Sequence, residues 1–195
     1  SEEESPVEPD QPAVAVEPPK PAEPEPLPPP TIPKVNLTES LSATCLVGVG
    51  DKIPEGTLVD AEGASHAIQD VLGEKLTVLV FWNSDNIHSV VELEDLARDV
   101  AGSLSERGGR IVAVNVGDTA EKAAEAAKEA KADFLILVDP DKTYFAEVAT
   151  ERLPRTYVLD AAGTILWFDL EYSRTTRRHL ERTIDVALSE PEPAP

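Results

Sequence analysis

Asp85, Asn86, His88 and Ser89 fall within five residues of FWNSDNIHSVVELEDL (81–96), where an apolar run gives way to a helical pattern. A helix N-terminus helps chemistry, because its unpaired N–H groups and its dipole stabilise an anion and would lower the pKa of a thiol. Here position 86 is an amide and position 89 an unactivated hydroxyl, and neither can act as a thiolate. His88 has Asp85 nearby as a candidate hydrogen-bonding partner, but reads first as an exposed histidine at a helix start. Asp85, Asn86 and His88 lack a cysteine or a distant matching histidine to complete a coordination set, so no metal site is expected. His66 and His179 read as surface positions. The one cysteine, Cys45 in LSATCLVGV, rules out an internal disulfide and reads as a partly buried small apolar residue. The other readings of it are a relocated thiol, a mixed-disulfide handle or a lipidated cysteine. A proline-rich approach in place of an apolar one argues against the last.

Alternating strands and helices must position these residues. LTVLVFW (76–82) is a continuous apolar run, as in a strand buried on both faces of a sheet. Val90, Leu93, Leu96/Ala97, Val100 and Leu104 then form one helical stripe that ends near RGG (107–109). RIVAVNV (110–116) reads as a second strand. An Ala-rich helix follows, with Asp118 as its expected N-cap and Glu121 three residues on. Beyond it come a strand at FLILV (134–138), a short helix or turn in PDKTYFAEVA, and two strands, RTYVLD and TILWFDL, joined through Ala161, Ala162 and Gly163. A last helix carries Leu180, Ile184 and Leu188 at four-residue spacing. This order implies a mixed central β-sheet flanked by helices on both faces.

Composition sets the limits. The 195 residues, 41% hydrophobic, suffice for one domain with a core plus a tail. A net charge of −20 repels phosphate backbones and anionic lipid, so no nucleic-acid partner is expected. No run reaches the length of a membrane helix. The chain contains no methionine, which points to a leader removed ahead of Ser1. Residues 1–36 hold twelve of the eighteen prolines and eight acids against two lysines. Such a segment is expected to be disordered or extended, a linker or tether that cannot build a core. The expected organisation is this tether, a connecting segment at 37–46, a domain at 47–189 and a C-terminal tail at 190–195.

Three stretches in the correct order resemble the thioredoxin-fold superfamily, in its TlpA/ResA-like and AhpC/TSA redoxin branch. VGDKIPEGTLVDAEG (49–63) resembles the entry segment that leads into an N-terminal β-hairpin. VLVFWNSDNIHS resembles the strand and helix start that usually read FWxxWCxxC. LVDPDKTYFAEVATERLPRTYVLDAAGTILW resembles the region of the cis-proline and the D-x-x-G turn. The resemblance puts the family's redox cysteines at Asn86 and Ser89 and its cis-proline at Pro154, so the thiol chemistry, including that of a peroxidatic cysteine, is expected to be absent.

What the resemblance leaves is a binding face, because main-chain pairing with an extended peptide beside the cis-proline needs no sulfur. Trp82, Asp85, Asn86 and His88 are expected to face Arg152, Leu153, Pro154, Arg155 and Thr156 across it, with Arg155 giving it an anion-seeking character. On the last helix Arg174, Arg178 and Arg182 recur every four residues with Arg177 alongside, a basic stripe suited to an acidic partner or to the chain's own SEEE terminus. The reading is a redox-inactive, exported, bacterial periplasmic or cell-envelope domain that binds a protein partner and needs no cofactor. The alternatives are a thiol-disulfide oxidoreductase or peroxiredoxin-like enzyme with a non-standard site, and an assembly factor that binds through its tail.

Overall fold

The computed structural model describes residues 30–189, so the expectations for residues 1–29 and 190–195 lie outside the described residues. A short helix α1 (Glu39–Ser42) precedes the hairpin of β1 (Thr57–Asp60) and β2 (Ser65–Ala67). Next come β3 (Leu76–Trp82), α2 (Ile87–Asp95), a π-helical turn over Leu96–Val100, α3 (Ala101–Glu106) and β4 (Gly109–Val116). The remainder is α4 (Ala120–Glu129), β5 (Leu135–Asp139), α5 (Phe145–Val148), β6 (Arg155–Asp160), β7 (Ile165–Leu170) and α6 (Arg174–Leu188). The seven strands form one mixed sheet in the order β2-β1-β5-β4-β3-β6-β7. β3, β4 and β5 run parallel, and β6 returns antiparallel beside β3.

Every residue of β3 is buried, as its unbroken apolar run requires of a strand covered on both faces. Its side chains alternate. Leu79 and Phe81 enter a core with Val112, Val114, Tyr157 and Phe168, closed by Tyr144 and Phe145. Val78, Val80 and Trp82 enter the opposite core, covered by Leu93 and Leu96, by Ala123 and Ala127 of α4, and by Leu180 and Ile184 of α6. Each Val, Leu, Ile and Phe side chain among them contributes about 1.5–3 kcal/mol on burial, so these layers hold the sheet and α2 in fixed relation.

Three local expectations need correction. The helix after β3 is not uniformly α-helical. Residues spaced by four overshoot a full helical turn by about 40° each time, and the wider π-helical turn absorbs that drift, so Leu96, Val100 and Leu104 all stay buried. The N-cap of α4 is Thr119, whose Oγ1 accepts from Lys122 N–H at 3.3 Å, and not Asp118. Apolar packing of the body also begins ahead of residue 47: Ile32 and Val35 lie on the α6-side core, and Val35, Leu37 and Leu41 pack on the opposite one.

Candidate functional site

The segment from β3 into α2 is pinned from below. Asn83 Nδ2 donates to the Val116 carbonyl at 2.9 Å, and Asp85 N–H donates to Asn83 Oδ1 at 2.9 Å. Ser84 N–H and Asn115 Nδ2 both donate to Asp118 Oδ2, at 2.9 and 2.8 Å. Burial works to raise the Asp118 pKa, but these donors together with Lys122 outweigh it and hold the carboxyl below its usual range. Asp118 therefore ties the β3–α2 loop to the β4–α4 loop, a role its neighbour Thr119 obscured in the sequence. Lys122 Nζ bridges Asp118 at 3.1 Å and Asp85 at 2.8 Å, so the Asp85 carboxylate is held by lysine and not by His88.

Asn86 is the N-cap of α2. Its Oδ1 accepts from His88 N–H at 2.9 Å and Ser89 N–H at 3.2 Å, while its Nδ2 donates to the Leu153 carbonyl at 2.9 Å. One side chain thus satisfies two orphan donors of the helix and clamps it to the loop before Pro154. The amide orientation follows from the network, since the cap needs an acceptor and the carbonyl a donor. The Leu153–Pro154 peptide is cis.

Asn86, His88, Arg152, Leu153 and Pro154 share one groove of about 620 Å³ with Glu171, Tyr172 and Ser173. α2 and α6 both begin on its wall, capped by Asn86 and Ser173. Arg152 (φ 73°) and Glu171 (φ 61°) flank it in left-handed conformations that non-glycine residues rarely adopt, and are ion-paired to each other at 3.1 Å. Pro154 O accepts from Glu171 N–H at 2.9 Å.

Three residues expected on this face are elsewhere. Trp82 is fully buried in the α6-side core. Arg155 is fully buried as well, and its anion-seeking role is excluded: its guanidinium donates to Glu151 O at 2.7 Å, Arg152 O at 3.0 Å, Thr44 O at 3.3 Å and Cys45 Sγ at 3.4 Å. Backbone carbonyls, not a ligand, satisfy its charge. Thr156 is buried with its Oγ1 donating to Glu92 Oε1. Ser89 also faces inward, where its Oγ accepts from Asn83 N–H at 3.4 Å.

Glu92 was not singled out in the sequence. It lies fully buried on α2 below the groove, and its second oxygen, Oε2, has no hydrogen-bond partner. Burial pushes its pKa up to about 8, helped by the negative charges of Asp169 and Asp95 and opposed by the Thr156 hydrogen bond, so the carboxyl is protonated at neutral pH. Burial likewise raises the Asp169 pKa. The signal was present in the sequence: Glu92 stands three residues after Ser89 and four before Leu96, both on the buried helix face.

Cys45 is half-buried and is not among the residues lining the groove; its Sγ donates to Leu41 O at 3.6 Å. Among the described residues no cluster of three metal-ligating side chains forms, and no helix is long and apolar enough to cross a membrane.

Several solved structures share this fold. A DsbE-type thiol:disulfide interchange protein from Chlorobium tepidum is 21% identical with a TM-score of 0.67, over 73% of this chain and 99% of its own. The thioredoxin domain of a thiol-disulfide oxidoreductase from Bacteroides vulgatus is 17% identical with a TM-score of 0.61, over 73% and 99%. The peroxidoxin BcpB from Mycobacterium tuberculosis is 21% identical with a TM-score of 0.59, over 72% and 95%. No curated protein matches the sequence. The AhpC/TSA family matches residues 49–168, which span both the β3–α2 junction and the cis-proline loop, and the chain belongs to that family.

Proposed function

We propose that this domain is a redox-inactive member of its family that binds an extended polypeptide segment in the groove beside Pro154. The observation that carries the reading is Asn86: the position at the start of α2 holds an amide whose oxygen caps the helix and whose nitrogen bonds the Leu153 carbonyl, so it works as a clamp. The groove still offers a backbone donor, since Leu153 N–H bonds to no described residue. Two helix N-termini on its wall favour the carbonyl or carboxylate oxygens of an occupant. Arg152 and Glu171, both in the left-handed region, shape its rim. The domain is further read as exported and held in the cell envelope by its Pro/Glu-rich segment. The fold shared with a thiol:disulfide interchange protein is compatible with this reading.

The test is an NMR titration of the full chain with a mixture of unstructured peptides. Amide shifts should move at His88, Leu153 and Glu171 and stay fixed at the β1–β2 edge. Shifts confined to any other face, or none at millimolar peptide, would remove the reading.

A further inference from the structure

The arginines of α6 divide into two sets. Arg177 is committed within the body, to Asp99 at 2.6 Å, Glu181 at 3.1 Å and Asp95 at 3.4 Å, which takes it out of the expected basic stripe. The acids of the helix are committed too, Glu181 to Arg177 and Asp185 to Arg107 at 2.8 Å. That leaves Arg174, Arg178 and Arg182, all exposed and without an ion pair among the described residues. They form an uncompensated positive row about 12 Å long on a strongly acidic protein.

The path of the chain supplies the second observation. Ile32 packs into the core beneath α6, and the Thr31 carbonyl accepts from Arg182 Nε at 3.1 Å. The chain upstream of residue 30 therefore leaves the body at one end of the arginine row. Residues 1–29 carry eight acids against one lysine, and Glu25 and Glu23 stand six and eight residues ahead of Thr31. At about 3.1 Å per residue for an extended proline-rich segment, Glu25 reaches roughly 19 Å from Thr31, enough to lie beside any arginine of the row.

We propose that the exposed arginines of α6 hold the chain's own acidic, proline-rich N-terminal segment, with Glu23 and Glu25 beside Arg174 and Arg178. Each such pair is weak alone, but a segment tethered at Arg182 acts at an effective concentration on the order of millimolar. An acidic partner has to bind more tightly than that to displace it, so the segment shields the row as well as spacing the domain. The contact weakens as salt rises, because it lies on the surface.

The experiment uses the full chain carrying Cys45→Ser and Ala22→Cys, with a nitroxide label at position 22. In low salt the amides of residues 174–182 should lose most of their intensity, while those of α4 keep theirs. Combining Arg174→Glu, Arg178→Glu and Arg182→Glu should restore the intensity. These side chains are exposed, and an unchanged spectrum elsewhere shows that the fold survives. Broadening that persists in the triple variant, or no broadening over 174–182, would overturn the proposal; the second result leaves the row open to an acidic segment of another protein.

Discussion

Glu92→Gln should stabilise the protein at pH 9 by several kcal/mol and leave its stability at pH 5 nearly unchanged. The native carboxyl titrates near 8 because it is fully buried, against an ordinary value of 4.5. Between those values the native state holds a proton that the unfolded chain has released. Stability from this group is therefore complete below about pH 4.5 and is lost as pH rises through 8. A shift of this size corresponds to roughly 4–5 kcal/mol across the interval. Glutamine is neutral throughout, keeps an acceptor for Thr156, and presents an amide where Oε2 has no partner. Denaturant melts from pH 5 to 9 should show the wild type falling steeply and the variant falling much less, by the share of Asp169, whose pKa burial also raises. Parallel curves would mean that Glu92 ionises freely. Asp60, Asp99, Asp118 and Asp160, whose pKa values are lowered, lose their contributions only in acid, so they do not mask the effect.

Asn86→Ala should cost about 2–3 kcal/mol, from loss of the N-cap and of the hydrogen bond to Leu153. For a domain of this size that lowers Tm by roughly 5–10 °C. Asn86→Asp should fall between the two: it keeps the cap acceptor and suits the helix dipole, yet has no donor for the Leu153 carbonyl. Thermal scans of the three proteins check the order. An alanine variant as stable as the wild type would show that the clamp carries no energy.

Local sequence pattern located the central strand and the β6–β7 pair, whereas the β1–β2 hairpin and the cis-proline at Pro154 follow from the family resemblance. An unbroken apolar run demands burial on both faces, and Asp160 with Gly163 at φ 77° makes the turn that the spacing implied. The errors arose where a residue's type argued for the surface and distant backbone argued otherwise. Arg155 is charged and was placed on the groove, but carbonyls of Thr44, Glu151 and Arg152 converge on it and make burial affordable. Those partners come from separate segments that no local pattern connects. Glu92 presents the same conflict: its spacing from Ser89 and Leu96 puts it on the buried helix face, while its charge argues for the surface. Asn86 was correctly placed at the helix start, but its bond to a loop 67 residues away, which gives it its role, needed coordinates.

Turnover measures directly whether this site keeps its architecture without thiol chemistry, as proposed. The purified full chain, given dithiothreitol and insulin or a peroxide with a thiol reductant, should consume neither substrate faster than the same mixture without protein. Turnover above that background which disappears in Cys45→Ser would contradict the account, and would make the half-buried thiol beside Arg155 the working group of an enzyme.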